Sequence, residues 1–476
     1  MTYQELPGIP GIWVDYAAGS LPGLSSLLVL PNMQSLRAQA ESVKKRQGRR
    51  EALSHILPKT TDPATVLFHD CARGPGRPEA VVVVTEIQAS LFGGPASHLL
   101  KCLTAIKVCR ELAKYGVPAV PVCWIGPSEG SAGLSTSLLD DQGEFHRLRL
   151  QHQKSDFSPA DPLPAERVTE LLKQIEALGR GGFAAETVEI LRSAYCPGAT
   201  LASGTARLMS ALMKEWGMIS LDPQAPDIKP ALTGAREVLR HRIAGMDATP
   251  PEQDSGRSAE GLLEHSPGCS TPAFLDQNLV LPVAANVIGP WELHPFLEML
   301  PVLDALDLPR PVAWPQTGAT LVDVRSRRTL EKYGLGIRDL FSGEKEVTAK
   351  IKRTIPKSAP GRLKELALEA GLRMADLGGK LPPGDQIART RDSCSERIIY
   401  QIEKLRERCE AACARKEAAA ERQIHKTCNR LAPEGKTQES GLSGIQFLLR
   451  HSLSVLQLLY ERLDLTKFEH QLISMD

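Results

Sequence analysis

The stretch VVVVTEIQASLFGGPASHLLKCLTAIKVCRELAKYGVPAVPVCWIG, residues 81–126, decides the fold of this 476-residue chain. It begins with a β-branched run from Val81 to Thr85, which is typical of a strand buried on both faces. A loop is predicted from Glu86 to Gly94. Pro95 follows and suits the first position of a helix, because its missing N–H group costs nothing there.

An apolar helical face follows the loop. Apolar residues recur there at steps of three and four, namely Leu99, Cys102, Leu103, Ile106, Cys109 and Leu112. Gly116 and Pro118 end the helix, and a second strand is predicted from Ala119 to Ile125. Two strands bridged by a helix form a βαβ unit, which predicts an α/β fold with a parallel sheet.

The loop after the first strand is the predicted binding site. Ligands of open α/β sheets bind at the carboxyl ends of the strands. The free N–H groups at a helix start can receive an anion such as phosphate or carboxylate, and Gly93 and Gly94 stand directly before the helix of Pro95. Neither the GxGxxG nor the Walker pattern occurs in this stretch, so the spacing alone leaves a plain turn as the alternative.

Composition narrows the class of protein. A chain of 476 residues is expected to form two or three domains. Its 42% hydrophobic and 24% charged content is typical of soluble globular proteins. The net charge of +1 gives no reason to expect nucleic acid or an anionic membrane as partner. The first residues lack a signal-peptide pattern, and no apolar run approaches the roughly 18 residues of a membrane span. We therefore expect a cytoplasmic protein.

The ten cysteines contain no CxxC pair, and only Cys409 and Cys413 lie one helical turn apart. A zinc site needs close pairs of cysteine and histidine, so no metal site is expected. Cys102, Cys109 and Cys123 are predicted to pack as small buried hydrophobes.

The segments after the βαβ unit alternate in character. Residues 162–220 are predicted as helices, and residues 247–272, rich in Pro, Gly and Ser, as a surface loop. The α/β pattern resumes with a strand from Leu279 to Ile288, a helix from Phe296 to Leu306 and a strand from Pro311 to Trp314.

Residues 385–431 carry a short heptad seam, formed by Ile398, Ile402, Leu405, Cys409 and Ala412. An antiparallel hairpin and an intermolecular dimer both fit this pattern. A final helix is predicted from Leu442 to Leu463. The resulting division gives an α/β core over 1–380 with helical insertions around 160–270, a coiled-coil segment over 381–432, and a C-terminal helix over 433–476 that packs back on the core.

Short blocks in a fixed order extend over the whole chain. They are Gln88–Pro95, Ala105–Lys107, Val117–Pro118, Pro121–Ile125, Leu191–Tyr195, Pro197–Gly198, Leu221–Pro223 with Lys229, Gly289–Leu293, Ala319–Val322, Glu331–Leu335, Leu431–Glu439 and Leu463–Asp464. Together they resemble the BshC family, the cysteine-adding enzymes of bacillithiol biosynthesis. The resemblance implies a Rossmann-like, mostly parallel sheet core and a C-terminal helical coiled coil that is implicated in homodimer formation.

The resemblance also implies an activity. A BshC-like ligase joins the carboxyl group of cysteine to the amine of glucosaminyl-malate in an amide bond. Amide formation in water demands an activated carboxylate, so ATP or another nucleotide is the expected cofactor. On this hypothesis Gly93, Gly94 and Pro95 receive a phosphate or a malate carboxylate, Gln88 orients a polar group of the substrate, and Glu292 holds a cationic amine. Glu292 at a helix start can equally be a simple partner of the helix dipole. The pattern identifies no catalytic base.

The chain departs from the family pattern at several predicted loop positions. A Glu-Asp-His-Asp run after the second strand is replaced by GPSEGSA at 126–132, with Glu129 as its acid. A Gly-Gln-Gln reads Glu86-Ile87-Gln88, a Gly-Pro-Gly-Glu reads Gly289-Pro290-Trp291-Glu292, and a Pro-Arg reads Pro315-Gln316. Glu129 and Gln316 remain candidate site residues. A catalytically degenerate relative that binds a ligand or acts as a scaffolding dimer is the alternative function.

Overall fold

A parallel sheet of β-branched and other apolar residues forms the centre of the fold. The computed structural model describes residues 1–20, 28, 31–44, 80–128, 133–151, 161–179, 182–226, 228–244, 271–355 and 358–475. Of the surface loop predicted over 247–272, residues 247–270 lie outside the described residues.

The strands of the described chain are β1 (Val81–Gln88), β2 (Ala119–Gly126), β3 (Ser135–Leu139), β4 (Phe145–Arg149), β5 (Ile219–Leu221), β6 (Val283–Ile288), β7 (Val312–Pro315), β8 (Ala319–Asp323) and β9 (Gln471–Met475). Its helices are α1 (Gly11–Ala17), α2 (Met33–Lys44), α3 (Ala96–Lys114), α4 (Ala165–Leu178), α5 (Ala184–Ala194), α6 (Leu201–Leu212), α7 (Lys229–Ala244), α8 (Thr271–Val280), α9 (Leu293–Ala305), α10 (Val324–Tyr333), α11 (Ile337–Leu340), α12 (Glu344–Thr354), α13 (Ser358–Leu377), α14 (Asp385–Leu431), α15 (Gln438–Gly441), α16 (Ile445–His451) and α17 (Ser454–Arg462). No helix of the described chain has both the length and the apolar composition of a membrane span.

Within the described chain the main sheet has five strands in the order β5-β2-β1-β6-β7, and all neighbours are parallel. This confirms the predicted α/β fold. After β1 the chain first builds outward through β2 and β5, and then returns to add β6 and β7 on the other side. The topological switch point therefore lies between β1 and β6, where open α/β sheets form their ligand crevice.

Both faces of the sheet are covered, as the β-branched run predicted. Val81 and Val83 face a core shared with α2 and α3, whereas Val82 and Val84 face a second core shared with α7 and α8. This alternation follows from the two-residue period of a strand. Cys102, Cys109 and Cys123 are all buried, which confirms their predicted packing role.

Three boundaries predicted from the sequence were wrong. β1 does not end at Thr85, because Glu86-Ile87-Gln88 continue to pair with Trp124-Ile125-Gly126 of β2. Pro95 is the residue before α3 and not its first residue. The predicted strand from Leu279 begins inside helix α8, and the chain is extended only from Val283. A short buried apolar run has no period that separates strand from helix, which explains the last error.

Other predicted elements are present. The helices expected over 162–220 are α4, α5 and α6, and the expected helix and strand after β6 are α9 and β7. The predicted final helix is interrupted at Ser452, which has φ of 61° and separates α16 from α17. Apolar residues of both helices, including Phe447 and Leu459, belong to the main core. Strand β9, which pairs in parallel with β8, was not predicted from the sequence.

Residues 324–435 form a separate compact unit. Within it α13 packs against α14 as an antiparallel hairpin, since Gly371 lies beside Ile399 while Gly378 lies beside Arg391. Of the predicted seam, Ile398 and Leu405 are 43% and 51% exposed. The face turned toward α13 is therefore rotated from the predicted seam. The predicted boundary at residue 380 falls between these two helices, and the homodimer stays a prediction.

A lysine on α3 anchors the C-terminal helices. Lys107 donates from Nζ to the carbonyl oxygens of Tyr460 (2.6 Å) and Leu463, close to the end of α17. We expect Lys107→Met to lower the free energy of unfolding by about 1–3 kcal/mol, because two carbonyls lose a charged donor. Chemical denaturation measures this loss. Lys114→Met, on the exposed end of the same helix, should leave stability unchanged, and equal losses in both variants would contradict the assignment.

Candidate functional site

A buried lysine lies at the switch point between β1 and β6. Lys101 belongs to α3 and is only 6% exposed. Its Nζ donates to the main-chain oxygen of Glu86 at 2.9 Å and forms an ion pair with the Glu292 carboxylate. A buried ammonium group needs such partners, because leaving water without them is costly. Lys101 therefore ties together β1, α3 and the turn that follows β6.

Glu292 occupies the position directly before α9. Its second carboxylate oxygen accepts the N–H of Gly289 at 2.7 Å, and its own N–H donates to the Gly289 carbonyl at 3.1 Å. The turn from Gly289 to Glu292 is thus closed on itself. The sequence predicted that Glu292 holds a cationic amine of the substrate. In the structure the amine that it holds is that of Lys101, and its role toward a ligand stays a prediction.

Glu86 is the second acid of the site, and it is 4% exposed. Gln277 on α8 donates to its Oε2 at 3.4 Å. Burial raises the pKa of Glu86 well above its ordinary value, and the negative charge of Glu292 adds to this rise while Lys101 opposes it. A carboxyl group with a raised pKa is suited to act as a general acid or base.

A glycine makes room for that carboxyl group. Gly126 ends β2 beside β1, and a Cβ atom placed on it would lie 2.4 Å from Glu86 Oε1. Such a distance is far inside van der Waals contact. The absence of a side chain at residue 126 is therefore a condition for the observed position of the Glu86 carboxyl.

The helix tip predicted to bind an anion is closed by protein groups. Gly93 and Gly94 are buried, and the Gly93 N–H donates to the Tyr195 hydroxyl at 3.0 Å. The Ala96 N–H donates to the Leu442 carbonyl at 2.9 Å. In this conformation these donors serve the protein and do not form an open phosphate cradle. The ligand role assigned to this tip stays a prediction.

The remaining predicted residues lie in different places. Gln88 ends β1 and is half-buried. Gln316 is 5% exposed and follows β7, where its Oε1 lies 3.0 Å from a Cβ placed on Gly289. The same Cβ position lies 3.4 Å from Cε of Lys101. Gln316 thus adjoins the lysine and the turn of Glu292. Glu129 lies outside the described residues.

The sequence reasoning missed Lys101 and Glu86 as site residues. Lys101 interrupts an apolar helix that is buried on almost every side. Glu86 continues a strand buried on both faces. Charged residues are rarely buried without a partner, so an acid and a lysine at such positions were the signal that could have identified the site.

Another buried acid, Glu439, belongs to the short helix α15 and lies beside the residues between Gln316 and β8. Glu439 accepts the Ala319 N–H at 2.8 Å and lies 3.8 Å from Nδ1 of His470, whose Nε2 contacts the Thr320 hydroxyl at 2.8 Å. Burial raises the pKa of Glu439 to about 7 and lowers that of His470 to about 4. Between these values both groups are mostly uncharged, so their contact is not an ion pair.

The parallel sheet and the polar cluster at its switch point define a Rossmann-like α/β protein with a buried acid–lysine site. Residues 15–247 match the family model described as Bacillithiol biosynthesis BshC, N-terminal Rossmann-like domain. Residues 319–475 match the model described as Bacillithiol biosynthesis BshC, C-terminal coiled-coil domain. The chain belongs to the BshC family, and the resemblance seen in the sequence is confirmed.

Curated relatives match the chain over most of its length. The protein named "Putative cysteine ligase BshC" of Solibacter usitatus is 24% identical over 93% of this chain and 93% of the relative. The protein of the same name in Koribacter versatilis is 24% identical over 96% of both chains. That of Salinibacter ruber is 25% identical over 99% of this chain and 97% of the relative.

The Gly126 contact gives a stability prediction. Gly126→Ala should lower the free energy of unfolding by about 1–3 kcal/mol, because the new methyl group overlaps the Glu86 carboxyl. In the Glu86→Ala background the same change should cost much less, since the overlapping oxygen is gone. Chemical denaturation of the unsubstituted protein, the two single variants and the double variant completes this double-mutant cycle. Gly234→Ala, with open space around it on α7, is the control, and additive effects at 126 and 86 would contradict the contact.

Glu439 and His470 give a pH prediction. The folded-state pKa of Glu439 lies above its ordinary 4.5, so the stability it contributes is full below pH 4.5 and is lost as pH rises to about 7. That of His470 lies below its ordinary 6.5, so its contribution is full above pH 6.5 and is lost as pH falls to about 4. His470→Gln should therefore make the free energy of unfolding fall more steeply with rising pH than in the unsubstituted protein. Glu439→Gln should have the opposite effect, so that the free energy of unfolding rises with pH relative to the unsubstituted protein. Denaturation between pH 4.5 and 6.5 measures the pH dependence of stability in each protein. Changes of the same sign in the two variants, relative to the unsubstituted protein, would refute the assignment.

Proposed function

We propose that this protein is a cysteine ligase of bacillithiol biosynthesis that adds cysteine to glucosaminyl-malate and forms an amide bond. Membership of the BshC family supports the proposal, since relatives matched nearly end to end carry the name cysteine ligase. The observation that carries it in this chain is the buried Lys101 between two glutamates at the switch point of the sheet.

The cluster suits the two demands of amide formation. One demand is a fixed positive charge for a substrate carboxylate, and Lys101 supplies it, with Glu292 as the internal carboxylate that a substrate would replace. The other demand is a group that accepts the proton of the attacking amine. Glu86 suits this step, because its raised pKa brings its proton affinity closer to that of the amine.

The carboxyl group of cysteine needs activation before an amine can attack it. ATP or another nucleotide remains the proposed cofactor on that chemical ground. The N–H groups at the tip of α3 are engaged with protein acceptors, so we assign no phosphate to them and derive no step through a nucleotide. The proposed partners are cysteine, glucosaminyl-malate and a second copy of the chain.

The second candidate is a degenerate family member that binds the substrate or acts as a scaffolding dimer without turnover. The observations that favour it are the stretch GPSEGSA at 126–132 and the amide of Gln316. The resemblance implies an acidic, histidine-bearing run and an arginine at these places. Calorimetric binding of glucosaminyl-malate without product formation would select this candidate.

The activity prediction concerns Lys101. With cysteine, glucosaminyl-malate and ATP, mass spectrometry should detect bacillithiol from the unsubstituted protein and about 100-fold less from Lys101→Met, because a substrate carboxylate loses its buried charged partner. Lys114→Met is the matched control and should keep full activity.

Circular dichroism confirms that the variants are folded, and Glu292→Gln provides a milder change at the same ion pair. Full activity of a folded Lys101→Met would overturn the assignment of the site. Absence of product from the unsubstituted protein, beside an active Solibacter relative, would overturn the ligase proposal.

A further inference from the structure

Two buried amide side chains lie in a row behind Glu86. Asn286 is on β6 and 1% exposed, and Gln277 is on α8 and 0% exposed. The Asn286 amide group donates from Nδ2 to Gln277 Oε1 at 2.7 Å, and Gln277 donates from Nε2 to Glu86 Oε2 at 3.4 Å. Three side chains from three elements thus form one chain of hydrogen bonds that ends at the carboxyl group.

The row has a direction. Because Asn286 presents its NH₂ group to the oxygen of Gln277, the NH₂ group of Gln277 is turned toward Glu86. The Oδ1 atom of Asn286 is buried and has no hydrogen-bond partner among the described residues. An unpaired buried acceptor costs about 1–3 kcal/mol. A row of buried amides that leaves one acceptor unpaired lowers stability, which indicates a functional constraint.

The charges around Glu86 come from three directions. Lys101 on α3 and Glu292 before α9 face it from the switch point, and Asp276 adjoins Gln277 on α8. Arg236 on α7 pairs with Asp276 through both carboxylate oxygens, with Nε at 2.7 Å from Oδ1. Asp276 is therefore compensated by its own partner. Gln277 is the neutral donor that contacts the Glu86 carboxyl directly.

We propose that Gln277 and Asn286 are positioning residues that fix the orientation of the Glu86 carboxyl for proton transfer. Gln277 donates to Oε2, which leaves Oε1, the oxygen above Gly126, to carry the exchanging proton. A substrate amine would then meet Glu86 on the side of residue 126, which itself carries no side chain. The transfer itself rests on the proposed ligase function, whereas the orientation of the carboxyl does not.

The test follows the protonation of Glu86 in the purified full-length protein. Infrared spectroscopy over a range of pH detects the carboxylic-acid C=O band, which Glu86→Gln identifies by its loss. Gln277→Met keeps the volume of the side chain and removes the donor, so the midpoint of the Glu86 titration should rise by at least about one pH unit, a tenfold gain in proton affinity. Asn286→Leu should shift it in the same direction by less.

A matched control is next to Gln277 on the same helix. Asn278 is also buried, but its amide donates to the Phe274 carbonyl and to Met299. Asn278→Leu should leave the Glu86 midpoint unchanged. If Gln277→Met fails to fold, Asn286→Leu carries the test.

Two results would overturn the proposal. One is an unmoved midpoint in folded Gln277→Met and Asn286→Leu, and the other is an equal shift in Asn278→Leu, which would indicate a general packing effect. Because the infrared midpoint needs no turnover, an inactive protein with the expected shifts would contradict the ligase function and still support the positioning role of Gln277 and Asn286. An active protein whose variants show an unmoved midpoint would support the ligase function and contradict the positioning role. In an active protein, the pH profile of the rate should shift with the infrared midpoint.

Discussion

The site depends on the burial of one ammonium group. Lys101 points from an apolar helix into the end of a parallel sheet, where water cannot solvate its charge. The carbonyl oxygen of Glu86 and the carboxylate of Glu292 replace that water. This pairing makes the two acids unequal. Glu292 carries the charge that balances the lysine, while the Glu86 carboxyl makes no ion pair with it and its pKa is raised. Of the two acids near this single cation, Glu292 thus forms the ion pair and Glu86 has the raised pKa.

Glycines are what allow polar groups to be buried at this edge of the sheet. The Glu86 carboxyl lies over Gly126, the Gln316 amide over Gly289, and the carboxyl of Glu439 over a third glycine after β7. At each place a Cβ atom would come within 3.0 Å of the polar atom. Each polar group therefore packs directly against glycine backbone. A larger residue at these positions would fill the space that the polar group occupies.

The local part of the fold could be predicted from the sequence, and the long-range part could not. The run from Val81 to Gly126 carries its own periods, so β1, α3 and β2 follow from it. The pairing of β9 with β8 joins residues about 150 positions apart, and a five-residue strand at that separation leaves no local signal. The site shows the same contrast. Glu292 was predicted from the family resemblance and its place at a helix start, whereas the partners of Lys101 on β1 and after β6 could not be predicted from the sequence.

Three of the positions at which the resemblance implies a departure from the family pattern lie near one end of the sheet. Glu86 lies in the cluster, Trp291 is 70% exposed in the turn that ends at Glu292, and Gln316 adjoins the same turn. Changes that are scattered along the sequence by more than 200 positions converge on one end of the sheet. A gained carboxyl and a neutral amide in place of a guanidinium leave Lys101 as the cation that faces both acids. Because the changes at 86 and 316 both alter the charge around Lys101, we interpret them as one rebuilt electrostatic site and not as independent losses.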